Sequence, residues 1–401
     1  MAFPTWLPLL LGLLTAVGPV STDMYLPAFP AIEAALGGAP GTAQITLATW
    51  FVGLAIGQIT QGPLSDRLGR RGPLVVGTAI YTLASVGCAV APDLFTLSAM
   101  RLVAALGGSA SMVITRAIVR DLTDGHAAAR MMSKLMLVMG AAPILAPTLG
   151  GLVLAFAGWQ AIFWICALYG AVSCIVVALL LPETLPQSRR VKLSLGAQIS
   201  RYSSIIRERG FVTRSLMGGC AMFAMFAYLG GSPAVFIGIY HLPPPLYGTL
   251  FGCCAAGYIA GSQVNPRLLT RFGPDLVMRV AVRVFLFATL LLLLVMAFLQ
   301  VPVWWGIALP IFLMMSTQGF IMPNATVGAL SRHAAHAGSA SALMGTMQFC
   351  LGAVSGVVVG VMTDGTARPM ALLIVLGAVG ATIADMCRLQ QRGATIQRRS
   401  A

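Results

Sequence analysis

Apolar stretches close to the length that crosses a bilayer recur along the whole chain, and this constrains its fold more than any other feature. A hydrocarbon layer about 30 Å thick takes about 20 helical residues, and inside it every backbone amide must find its partner within the protein. The stretches fall at approximately 6–29, 43–64, 74–91, 94–115, 134–155, 159–181, 215–239, 246–265, 277–298, 303–326, 338–362 and 369–387. Gly and Pro lie inside several of them, as membrane helices tolerate when neighbouring helices re-satisfy the backbone. The expected fold class is an all-α membrane protein of twelve transmembrane helices.

Composition excludes a soluble globule. Hydrophobic residues make up 58% of the chain and charged ones 9%, with a mean hydropathy of +0.88, which leaves too little polar surface to coat one. No Lys or Arg precedes the first stretch. A cleavable secretory signal begins with a positive segment, so this stretch is expected to be a permanent span.

The charge map supplies an orientation. Of 25 Lys and Arg, 23 fall in alternate connections or the tail. They are Arg67, Arg70 and Arg71; Arg116, Arg120, Arg130 and Lys134; seven residues from Arg189 to Arg214; Arg267, Arg271, Arg279 and Arg283; Arg332; and the cluster from Arg388 to Arg399. Positive residues stay on the cytoplasmic side, so both termini are expected there. The opposite connections hold Glu33, Asp93 and Asp364 with the single Arg368, while Arg101 lies inside the fourth span. The net charge of +14 is then a topological signal plus attraction to anionic lipid, and no aromatic-basic module points to nucleic acid.

Residues 182–214 form the longest polar and most basic segment. This divides the chain into an N-terminal half (1–181), a cytoplasmic linker (182–214), a C-terminal half (215–388) and a basic tail (389–401). A faint repeat supports the division: Leu64, Arg67 and Gly69 correspond to Leu268, Arg271 and Gly273. Two parallel six-helix halves around a central cavity are the geometry of one large transporter class.

Enzymatic and metal chemistry find no foothold. The eight cysteines sit in apolar spans without a C-x-x-C pair, which suits buried small hydrophobes. His333 and His336 lack a third ligand. There is no HExxH, G-x-S-x-G, paired carboxylates or phosphate loop, so no nucleotide or other cofactor is expected.

Gly62-Pro63-Leu64-Ser65-Asp66-Arg67-Leu68-Gly69-Arg70-Arg71, between the second and third spans, resembles the signature loop of the major facilitator superfamily. Independently of that name, Gly69 and Gly72 permit a tight turn. Asp66 can accept from the open amides of a nearby helix start and pair with arginines across the half interface. Gly62, Asp66, Arg67, Gly69, Arg70 and Arg71 are therefore expected to form a conformational latch. A second block runs from Arg101 through Gly107, Gly108 and Ser109 to Thr115-Arg116 and on to Asp121-Leu122. It is similar to the superfamily's fourth-helix motif, with Ala104 in place of the usual glutamine. Pro143, Pro147, Gly150 and Gly151 in the fifth span resemble the motif of its antiporter branches; by themselves they predict a bent, closely packed helix.

Thr22-Asp23-Met24-Tyr25-Leu26-Pro27-Ala28-Phe29-Pro30, Pro182-Glu183-Thr184-Leu185 and Gly338-Ser339-Ala340-Ser341-Ala342-Leu343 resemble the bicyclomycin/chloramphenicol-resistance subfamily of drug:proton antiporters. That resemblance implies a monomeric, multi-pass transporter of the bacterial inner membrane that exports small amphipathic drugs or metabolites in exchange for protons by alternating access. The rival within transport is a proton-coupled importer of a sugar or other nutrient on the same fold.

Asp23 is the only carboxylate well inside the first ten spans, and an acid within the membrane is a functional-site hypothesis by default. Asp23 and Arg101 each lie about seven residues from the outer end of their spans, roughly 10 Å deep at 1.5 Å per residue. They are expected to pair and to carry proton coupling, the alternative being a permanent ion pair that fixes the first and fourth helices. Tyr25, Gln44, Trp50, Gln58, Tyr228, Gln318, Asn324 and Gln348 are the polar and aromatic side chains expected to line the path of the substrate.

Overall fold

A computed structural model describes residues 6–122, 125–190, 195–298, 303–333 and 336–400. The side chains of Arg120, Arg130, Lys134, Lys192 and the basic tail beyond Arg388 lie outside the described residues.

The first span is not one helix. It runs as α1 (Leu7–Thr15), α2 (Val17–Asp23), a 3-10 turn at Leu26–Ala28 and α3 (Phe29–Ala35). Pro27 and Pro30 lack the amides that would donate one turn back, so the regular ladder fails here. The next three spans are α4 (Ala43–Leu68), α5 (Arg71–Ala89) and α6 (Leu94–Leu122). The long α7 (Gly125–Leu180) turns at Gly158, whose φ of 77° breaks it into the fifth and sixth spans. In the linker lies α8 (Leu195–Ile206).

The C-terminal half repeats the pattern with α9 (Arg209–Pro233), which passes into a π-helical turn at Ala234–Ile239, then α10 (Pro244–Phe272), α11 (Pro274–Phe298), α12 (Trp304–Leu330), α13 (Ala337–Val361) and α14 (Arg368–Ser400). Among the described residues ten helical stretches are long and apolar enough to span a bilayer. One of them, Ala141–Leu180, folds at Gly158 into two crossings, and α10, at 29 residues, is long enough to cross though less apolar, which brings the crossings to twelve. Large apolar side chains such as Leu83, Phe156 and Leu179 lie exposed on the outside, as a lipid-facing surface requires.

Within the first half α4 packs on α6, and α5 on α6 and α7; within the second, α9 packs on α13 and α14, and α12 on α10 and α11. The halves meet along two seams, α4 with α13 and α7 with α10. Small residues set the closeness of both. A Cβ on Gly41 would stand 2.7 Å from the Gly360 carbonyl oxygen, and one on Gly248 would stand 2.6 Å from that of Pro147. Phe51 stacks on Phe226 with ring centroids 3.8 Å apart, adding an aromatic contact across the interface.

Candidate functional site

The break in the first span is gripped from three sides. Arg101 Nη1 on α6 donates to the Ser21 carbonyl at 2.8 Å, Ser21 Oγ and the Tyr81 hydroxyl on α5 lie 2.6 Å apart, and Gly150 on α7 brings its backbone against the Met24 carbonyl. Asp23 sits between these contacts, 6% exposed. Among the described residues no hydrogen bond or ion pair reaches its carboxylate.

The expected pairing of Asp23 with Arg101 does not occur. Arg101 reaches the main-chain carbonyl of Ser21 instead, and successive residues of a helix are about 100° apart, so the Ser21 side chain, which meets Tyr81, and that of Asp23 two positions later point to nearly opposite sides. Equal depth in the membrane said nothing about that rotation. The break instead meets the other half, its turn at Leu26–Ala28 packing on α9 and α10, the helices that carry Tyr228 and Tyr247. Arg101, only 2% exposed, lies in an aromatic box, its guanidinium carbon 4.1 Å from the Tyr25 ring centre, 4.5 Å from that of Trp50 and 5.9 Å from that of Phe163. Attraction to the ring faces supports a charge that has no carboxylate partner among the described residues.

The residues expected along the substrate path divide into two sets. Tyr25, whose hydroxyl is 3.2 Å from Thr46 Oγ1, and Trp50 belong to the box around Arg101. Gln44 and Gln58 lie along the α4/α13 seam, beside Gly360 and Gly345. Tyr228 stacks on Phe251 of α10, and Gln348 lies against Gly218 of α9. Gln318 and Asn324, by contrast, tie helices together: Gln318 Nε2 donates to the Ala221 carbonyl at 2.8 Å, and Asn324 Nδ2 donates to Asn265 Oδ1 at 2.9 Å. Amide side chains at helix contacts do this in membrane bundles. Ser21, Tyr81, Phe163 and Tyr247 complete the site and were not singled out by sequence. Their only signal was a polar or aromatic residue inside an apolar span.

At the basic end the residues expected to form a latch gather around Arg70 rather than Asp66. The stretch Gly62–Leu68 is the last part of α4, and only Gly69, with φ of 100°, makes the turn; Gly72 is already inside α5. Arg70 Nη1 donates to Asp66 Oδ1 at 2.6 Å and to Ser65 Oγ at 2.8 Å, while its Nε donates to Asp121 Oδ2 at 2.7 Å. Charge-assisted bonds of this kind are short and strong. All three partners belong to the same half, and among the described residues no partner of Asp66 lies across the interface.

The open amides at the start of α5 are taken by Glu183, from the end of the sixth span, which accepts from Arg70 N at 2.8 Å and Arg71 N at 3.3 Å. Burial pushes against it, but the amides of Arg70, Leu185 and Arg71, with the charge of Arg190, hold the Glu183 carboxyl below the usual glutamate range. A lowered folded-state pKa gives stability that is present above the unfolded value of about 4.3 and lost as pH falls through the lower folded value. The Arg70 and Arg71 amides are therefore expected to lose protection from hydrogen exchange in that acidic window, relative to their intrinsic rates. Glu183→Gln should remove the pH dependence; if it persists in that variant, another group carries it.

Two six-helix halves joined along paired helical seams, with a buried unpaired acid between them and a charged clasp at one end, define a secondary transporter rather than an enzyme. The chain belongs to the major facilitator superfamily, whose family model matches residues 11–357. An uncharacterized MFS-type transporter of Bacillus subtilis (strain 168), YdgK, is 35% identical over 94% of each chain. A bicyclomycin resistance protein homolog of Haemophilus influenzae is 30% identical over 92% of each, in keeping with the subfamily resemblance carried by the Thr22–Pro30 block. The crystal structure of a D-xylose-proton symporter superposes with a TM-score of 0.74 over 96% of each chain at 14% identity; this likeness shows the fold alone.

Proposed function

We propose that this transporter exports small amphipathic drugs or metabolites across the bacterial inner membrane in exchange for protons, with its basic end in the cytoplasm. The halves rock about the seams, and the interface opens to one side at a time. The observation that carries the reading is Asp23: a buried carboxylate without an ion pair among the described residues, at a break in the first span that packs on the opposite half. Protonation from outside neutralises it; release of that proton inside accompanies drug binding. A ligand drives such a cycle only by its differential affinity for the two states. The name of the Haemophilus influenzae relative supports export of an antibiotic.

Inside-out membrane vesicles test direction and coupling together. With an acid-inside gradient imposed by respiration, bicyclomycin is expected to accumulate in the lumen as the gradient partly dissipates, and nigericin with valinomycin in potassium buffer, which together remove the pH gradient and the membrane potential, should abolish uptake. Loss of preloaded drug from the lumen under that gradient would favour the importer instead. Accumulation that survives both ionophores would remove proton coupling.

A further inference from the structure

Pro63 lies inside α4 and has no amide, so the carbonyl of Ile59 loses the donor that a regular helix would supply. The Tyr202 hydroxyl on the linker helix α8 donates to that carbonyl at 3.3 Å. The notch is placed where the α4/α13 seam runs out toward the basic end: Thr346 Oγ1 donates to the Ala55 carbonyl at 3.0 Å, Gly345 packs on Gln58, and Ile59 is the next residue.

The linker carrying Tyr202 is tied at both ends. Before α8, Arg190 is 3.8 Å from Glu183, the clasp of the first half. After α8, Glu208 caps α9 by accepting from Phe211 N at 2.9 Å and lies 3.2 Å from both Arg332 and His333 in the connection between α12 and α13. The helix itself packs against α9 and α13 of the second half, and Ile205 is buried in the main apolar core. Tyr202 thus joins a segment seated on the second half to a backbone group of the first.

We infer that Tyr202 is a positioning residue of the transport cycle: its hydroxyl docks the linker in the Pro63 notch of α4 in the conformation whose seams are closed at the far end, and the dock is released when the halves rock. The bond is made by this state and not by the alternative, so it biases the equilibrium between them. The inference is independent of what is carried and of proton coupling, since it rests only on the two-half transporter fold.

The test needs no substrate. In the full chain in lipid nanodiscs, Tyr202→Phe is expected to speed amide hydrogen exchange roughly two- to tenfold, the shift one hydrogen bond can produce. This should hold in 196–206 and also in 38–44 at the far end, where Gly41 closes on Gly360. With Pro63→Ala, residue 63 regains an amide for the Ile59 carbonyl, and Tyr202→Phe should then change nothing further. Three results overturn the inference: equal effects in both backgrounds, an effect confined to 196–206, or none. If Pro63→Ala does not insert, Pro63→Ser restores the same amide, and the response of 38–44 in the single Tyr202→Phe variant still decides.

Discussion

Asp23→Asn is expected to insert and fold like the natural chain and to reduce proton-driven exchange to the level of vesicles without the protein. The carboxamide keeps the shape of the side chain but cannot take up and release a proton. The break at Met24 should survive, because the contacts from Arg101 and Gly150 reach the Ser21 and Met24 carbonyls rather than the Asp23 side chain. Coupled sites typically change each other's affinity by roughly 5–150-fold. Bicyclomycin affinity of the purified protein should therefore vary with pH in the natural chain and stay flat in the variant. Residual export with an unaltered pH dependence would assign proton coupling to another group.

The same geometry changes what Arg101 is expected to do. As a charge partner of Asp23 it would act by Coulomb attraction; as a donor to the Ser21 carbonyl it acts by holding the broken end of α2. What depth along two spans could not convey was azimuth, which depends on where α2 stops and how α6 is rotated in the bundle.

Other elements were legible for a local reason and lost for a long-range one. The spans could be read because the length of an apolar run and the thickness of a bilayer are both properties of a short window. The interruption of the first span is implicit in Pro27 and Pro30. The partner of the α5 amides was not, since Glu183 lies 113 residues from Arg70 and two other acids, Asp66 and Asp121, were nearer in sequence or motif. Sequence placed acids and arginines together at the basic end; which acid took amides and which took the guanidinium was decided by packing. Gln318 and Asn324 show the same limit, because an amide facing a cavity and one bridging two helices look alike in an apolar run.

Gly150→Ala sets two effects of opposite sign against each other. In a helix interior alanine is favoured over glycine by about 0.8–1.0 kcal/mol, so on propensity alone the substitution would stabilise α7. A Cβ at this position, however, would overlap the Met24 carbonyl oxygen and stand 2.7 Å from its carbon. These are backbone atoms, held from the other side by Arg101 and Tyr81 through Ser21, and they cannot move aside as the tip of a side chain would. Overpacking costs about 1–3 kcal/mol and more where the backbone cannot yield, so the steric term is expected to win and the variant to melt at a lower temperature in detergent. Gly151 supplies the control. A Cβ there would meet the Pro244 carbonyl oxygen at 2.6 Å, across the seam between the halves rather than within one. Gly151→Ala should leave the melting of the first half nearly unchanged while speeding hydrogen exchange along the α7/α10 seam. A higher melting temperature for Gly150→Ala would show that α7 does not press on the break in the first span, and the motif in α7 would then lose its steric role at that break.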